Sequence, residues 1–201
     1  MNITIRPETE ADYYETENET REAFWDLFRP GCAEHLLLHQ LRQSPAFIPE
    51  LDYVACDGAK IVGNIVYSKA VVKNDASEKT VLCMGPLSVL PEYQNRGVGS
   101  MLMAATIEKA KELGYPAVVI FGHPDYYHRF GYENAEKYNI QTAEGKNFEA
   151  FMVLPLDKEA LKDIRGRFHE DSAFNLDNDA LEEFDRNFPP KEKHKREGQF
   201  E

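Results

Sequence analysis

The chain has 201 residues, 42% of them hydrophobic, enough for one domain, or a domain with an appendage, and a core of useful size. Its 35 acidic against 23 basic side chains give a formal charge of −12, which argues against nucleic acid and leans towards a cationic small molecule or basic peptide. No apolar run nears the roughly 18 residues of a membrane span, and MNITIRPETEADYYETE is too acidic for a signal peptide, so a soluble cytoplasmic protein is expected.

Alternation at Ile3 and Ile5 predicts a first strand. Residues 8–28 read as a helix whose apolar stripe is Tyr14, Ala23, Phe24, Leu27 and Phe28, broken by Arg29-Pro30-Gly31. Residues 33–42 form a second helix, closed by Ser44-Pro45. The period then changes. LDYVAC and KIVGNIVYSKAVV, joined at Asp57-Gly58, predict a hairpin. KNDASEKT is a polar loop, and TVLCMGPLSVL the next strand. A helix over 97–113 follows, with Val98, Met101, Leu102 and Ala105 as its apolar face. PAVVIF is a short buried strand, and a brief helix runs from His123-Pro124 to near Phe130-Gly131. Strands are expected over 137–142 and 148–154.

Beyond residue 157 the chain is highly charged, with Phe168, Phe174, Leu181, Phe184 and Phe188 as sparse apolar points. These predict helical segments packed on a main domain of residues 1–156, with the extension 157–201 fraying after Pro189-Pro190. The predicted fold class is α+β, or mixed α/β, with helices on both faces of one sheet. Tight turns between the early strands exclude a doubly wound sheet. Cys32, Cys56 and Cys83 lie in apolar surroundings without CxxC spacing, so buried thiols are expected and no disulfide or metal site is indicated.

PLSVLPEYQNRGVG, residues 86–99, carries the chemistry. Gly85-Pro86 inside a strand marks a bulge or an edge, because proline offers no ladder donor. Bent from its neighbour, the strand would leave main-chain groups free for a ligand. Gln94 to Gly99 then turn directly into a helix, whose first amides and dipole favour an anion. Gly97 and Gly99 permit close approach, and Arg96 can add a charge-assisted contact. This stretch has no Gly-Lys pair for a Walker loop, and Leu102 stands where a dinucleotide fingerprint needs its third glycine.

The pattern Gln94-x-x-Gly97-x-Gly99 after Leu87-x-Val89-x-Pro91 resembles the signature of the GCN5-related N-acetyltransferase (GNAT) family, and Tyr126-Tyr127-His128-Arg129-Phe130-Gly131-Tyr132 resembles a second family segment. The likeness covers roughly residues 3–154 and is nearest to bacterial members of unassigned substrate. It implies a central, mostly antiparallel twisted sheet with splayed strands at an acyl-CoA site, and acetyl transfer from acetyl-CoA to an amine by direct attack in a ternary complex. By resemblance, the main chain of Leu87, Ser88 and Val89 holds the pantetheine arm. Gln94, Asn95, Arg96, Gly97, Val98, Gly99 and Ser100 cradle the pyrophosphate, and Tyr127 is the general acid for the leaving thiolate. The base is left open between Glu50 and His123, with Glu22, Glu34 and His35 as further options. A small amine and a peptide are both open as acceptor, as is a homodimer; neither a metal, nucleic acid nor a membrane is expected. A non-catalytic acyl-CoA sensor on the same fold is the alternative.

Overall fold

The computed structural model describes residues 2–199. In chain order the strands are β1 (Ile3–Pro7), β2 (Tyr53–Asp57), β3 (Lys60–Lys73), β4 (Glu78–Val89), β5 (Ala117–Phe121), β6 (Glu133–Asn134), β7 (Ile140–Gln141), β8 (Phe151–Pro155) and β9 (Gly166–His169). The helices are α1 (Tyr13–Phe24), α2 (Glu34–Gln43), α3 (Val98–Glu112), α4 (Pro124–Tyr127), α5 (Lys158–Leu161) and α6 (Asn178–Asp185). This is a mixed α/β fold whose strand pairs are mostly antiparallel.

The chain divides into two compact units, and the extension does not form one of its own. The first unit takes residues up to Val66, Pro86–Ala105 and the segment from Ser172 on; the second takes Tyr67–Gly85 and Thr106–Asp171. β3, β4 and α3 each run from one unit into the other.

In the first unit, β1 pairs antiparallel with β2, and β2 with β3. The β2–β3 turn is the expected one, with Gly58 at φ +63° and Asp57 opposite Lys60. Leu38, Leu41 and Val66 form one apolar cluster, joined by Phe47 and Phe174. Ala33, Leu36 and Leu181 form another, with Phe184 from α6 against it. The segment after Pro189-Pro190 lacks regular structure yet is tied down as far as it is described. Trp25 Nε1 donates to Glu192 O (2.9 Å), and the His194 amide and Gln199 Nε2 both donate to Asp26. The last two residues of the expected frayed end lie outside the described residues.

In the second unit, β4 runs parallel to β5 at Leu82↔Val118 and Cys83↔Val119, and β8 pairs antiparallel with β5 and β6. Residues 166–169, expected as helix, are instead β9. This strand finds ladder partners in β3 (Val72↔Phe168) and β7 and buries Phe168, which a lone amphipathic turn could not do as well. The strand expected over 137–142 shrinks to β7, because Asn139 takes a left-handed conformation (φ +55°) after a 3₁₀ turn at Ala135–Tyr138.

α1 departs most from its pattern. It begins at Tyr13 rather than residue 8, since the Thr9 amide donates to Asp12 and the segment Glu10–Asp12 is a 3₁₀ turn. It stops at Phe24 rather than 28, because Asp26 turns left-handed (φ +58°) and accepts from the Gly31 amide at 2.7 Å. Its expected stripe is mostly outside: Tyr14, Leu27 and Phe28 are exposed. The buried residues are Thr16, Glu17, Glu19, Thr20 and Arg21, a polar face that meets polar partners such as Arg42, Ser88 and Asp185.

Candidate active site

The first unit holds the cradle segment. Where β3 passes β4, a Cβ on Gly63 would lie 2.8 Å from the Ser88 carbonyl oxygen, and the Leu90 amide donates to Val62 O at 3.0 Å. Main-chain groups alternate sides along an antiparallel strand, so Leu87 and Val89 turn their N–H and C=O groups to the edge away from β3. Gly85, at φ +144°, supplies the irregularity expected just before this stretch.

The loop that follows is braced from below. Glu92 pairs with Lys60 (2.9 Å), and the Tyr93 hydroxyl donates to Asp57 (3.3 Å). Gln94 Nε2 donates to Val89 O at 2.9 Å, so this side chain ties the loop to the strand. Asn95 (φ +58°) and Gly97 (φ +84°) make the left-handed turns, and no atom lies within 4 Å of a Cβ built on Gly97. Gln94, Asn95, Arg96 and Gly97 are exposed, Gly99 and Ser100 half-buried, and Val98 buried as the anchor of α3. The first helical bond runs from the Met101 amide to Gly97 O (3.0 Å), so the amides of Val98 and Gly99 precede the ladder. An exposed, glycine-turned helix start of this kind can hold an anion. Met101, expected on the buried face, is exposed, and Met103 takes the core position.

Tyr127 ends α4 in the second unit. Its ring packs over Gly122, where a Cβ would overlap it, and edge-on to Tyr132 with centroids 5.5 Å apart. Burial, then Tyr126, pushes its phenol well above the ordinary tyrosine range, so it stays protonated at neutral pH. Among the described residues its hydroxyl has no hydrogen-bond partner.

The other candidates fare differently. Glu50 is exposed on a 3₁₀ turn (Pro49–Leu51). His123 is 76% exposed and 4.0 Å from the Asp125 carboxylate. Glu22 pairs with Lys191 (2.5 Å). Glu34 accepts from the Ala33 amide (3.0 Å) and from Cys32 Sγ (3.3 Å), which makes it a local cap. His35 is fully buried against Phe184 and Phe188, and burial drives its pKa down. All three cysteines are free and buried, and burial raises the Cys32 and Cys83 thiols far from reactivity.

Two polar clusters escaped the sequence reading. Arg42 meets Glu8 (2.6 Å) and Glu17 (3.0 Å), with Asp52 at 3.7 Å; burial, then the nearby Glu8 carboxyl, raises the Asp52 carboxyl. Glu19 is buried and accepts from Ser88 Oγ at 2.6 Å. A Thr-Glu-rich helix reads as solvated, so only the partners, distant in sequence, reveal either cluster.

Residues 9–132 match the family model for the acetyltransferase (GNAT) family. The chain belongs to that family. YhbS of Escherichia coli K12, an uncharacterized N-acetyltransferase, is 31% identical over 141 residues, spanning 69% of this chain and 82% of YhbS. YjhQ, another uncharacterized N-acetyltransferase of that strain, is 34% identical over 97 residues, and the match spans 54% of its length. The crystal structure of YhbS in complex with CoA superimposes with a TM-score of 0.77 at 28% identity, covering 88% of this chain and 93% of that one. A GNAT acetyltransferase from Brucella melitensis in complex with acetyl-CoA gives 0.69 at 25% identity, covering 86% and 98%. Among the described residues of this GNAT protein no helix is long and apolar enough to cross a membrane.

Proposed function

We propose that the chain moves an acetyl group from acetyl-CoA to an amine, by direct attack of the amine on the thioester. The observation that carries this is the run from β4 into α3: an outward main-chain edge at Leu87 and Val89, followed by a glycine-turned helix start with room at Gly97. Such a run fits an elongated carrier with a diphosphate near one end. The kinship with proteins crystallised with CoA and acetyl-CoA supports the same reading.

In this reading the amides of Gly97, Val98, Gly99 and Ser100 take the pyrophosphate, with Asn95 and Arg96 at its rim, while Gln94 holds the loop to the strand. The main-chain groups of Leu87, Ser88 and Val89 hold the pantetheine arm and orient the thioester carbonyl. The amine must arrive as its free base, since an ammonium has no lone pair, and ordinary alkylamines bind their proton up to about pH 10. Collapse of the tetrahedral adduct breaks the C–S bond, and Tyr127 delivers a proton to the departing thiolate. Its raised pKa guarantees the acid form but makes it a weaker donor, so its contribution rests on placement. Glu50 and His123, both exposed, stand as the side chains to test first as the base.

Calorimetry with CoA tests the cradle: Gly99→Trp should abolish binding by filling the first turn of α3, and unchanged affinity would remove the cradle. Thiol release from acetyl-CoA over a panel of amines tests the transfer, with Tyr127→Phe expected to lower turnover more than CoA affinity. Tight binding without turnover by any amine would favour an acyl-CoA sensor.

A further inference from the structure

The proposed chemistry leaves Glu19 unused, although this carboxyl lies directly beneath the segment that would carry the acyl arm. Glu19, on α1, is 3% exposed. Its Oε2 accepts from Ser88 Oγ at 2.6 Å, and Thr20 Oγ1 lies 3.3 Å from the same hydroxyl. Oε1 is buried and has no hydrogen-bond partner among the described residues. Ser88 sits between Leu87 and Val89, and successive side chains of a strand alternate between its two faces, so the Ser88 side chain points to the face opposite theirs, where Glu19 and Thr20 of α1 meet it.

An acid in this place is costly. A buried polar atom left unsatisfied costs about 1–3 kcal/mol, and an apolar residue of the same size would avoid that. No cation offsets it: Glu19 forms no ion pair among the described residues. The charges acting on it are those of Glu8, before α1, and Glu92, after β4, and both are carboxylates. Along α1 itself, Glu15 is turned to the Ile61 amide and Arg21 to Asp185, while Glu17 is held by Arg42. Burial, ahead of these carboxylates, pushes Glu19 up to about 8.

We infer that Glu19, acting through Ser88, is a positioning residue that sets the main-chain orientation of the Leu87–Val89 edge against the thioester carbonyl. This rests on the reading of that edge as the acyl-carrier site. The mechanism is a hydrogen-bond chain that reverses with one proton. Protonated, Glu19 can donate to Ser88, and Ser88 onward to Thr20. Ionised, it can only accept, so the Ser88 hydroxyl must turn from Thr20 to Glu19, and an uncompensated charge lies beneath the strand. One edge of the strand is held by the close approach of Gly63 to Ser88 O and the other by Gln94 on Val89 O, while the Ser88 hydroxyl tethers the face towards α1. The state of Glu19 is thereby passed to the peptide groups of Leu87 and Val89.

Isotope-edited infrared spectroscopy of carbonyl-labelled acetyl-CoA bound to the full chain reads that orientation directly and requires no acceptor amine. In the unaltered protein the carbonyl band should shift as the pH crosses about 8. In Glu19→Gln the band should stay fixed over the same range, with CoA affinity by calorimetry within about threefold of the parent. Glu19→Asp should restore part of the response. Should Glu19→Gln fail to fold, Ser88→Ala, which deletes one hydroxyl, should lose the response in the same way. A band with no pH response in the unaltered chain, or the same response in a folded variant, overturns this inference and leaves the transferase reading standing. Failure of the unaltered chain to bind CoA overturns both.

Discussion

Helices α1 and α3 bury opposite kinds of surface. α3 hides Val98, Leu102, Met103 and Ala110, with Thr106 as the polar exception bonded to Tyr67 (2.9 Å). α1 hides two threonines, two glutamates and an arginine, and leaves Tyr14 outside. Burial of α3 follows from the hydrophobic effect, which any long apolar stripe obeys. Burial of α1 is conditional on partners: Arg21 needs Asp185 (2.6 Å) from α6, Glu17 needs Arg42 from α2, and Glu19 leans on Ser88 from β4. One helix is held by area removed from water, the other by complementary polar groups that cost more to orphan than they contribute as pairs.

The contrast is sharpest at Arg42. Arg42→Met would leave Glu8, Glu17 and Asp52 facing one another without their cation, and a loss of about 3–5 kcal/mol is expected in chemical denaturation. A loss under about 1 kcal/mol would show that the cluster relaxes to water and that α1 is not conditional in this sense. On the apolar side, Leu102→Ala should cost about 3 kcal/mol through lost burial and a cavity.

Glu19 separates the helices by pH. Its folded pKa, about 8, lies above its ordinary value of 4.5, so the folded state holds the proton more tightly. The stabilisation is complete below pH 4.5 and disappears as the pH rises through about 8. The stability difference between Glu19→Gln and the parent should therefore grow in favour of the variant by at most about 1.4 kcal/mol per pH unit across that window. Parallel pH curves for the two proteins would show that Glu19 is ionised in the fold. The smallest effect belongs to Met101→Ala, which, on the exposed side of α3, should change stability by less than about 0.5 kcal/mol.

The backbone path of residues 86–99 was legible because its signal is local. Glycine and asparagine at positive φ, a strand that ends in proline, and a helix that begins at once are all written in fourteen consecutive residues, 86–99. The Asp57-Gly58 hairpin was legible for the same reason. β9 was not, since GRFH acquires its extended form from pairing with Val71 to Lys73, almost a hundred residues earlier. The bond from Gln94 to Val89 O was not legible either, because a side-chain amide serves an anion or a carbonyl equally well and only the position of Val89 O decides.

The sequence by itself determined the order of elements, the turn chemistry and the glycine-turned start of α3, all properties of neighbouring residues and their backbone preferences. Tertiary structure alone decided which face of α1 goes inside, which carboxyls lose water, and that Ser88 meets Glu19 across 69 residues of chain. The physical reason is that backbone conformation is fixed by local sterics, whereas the ionisation and partnership of a polar side chain depend on the dielectric and donors that distant segments bring to it.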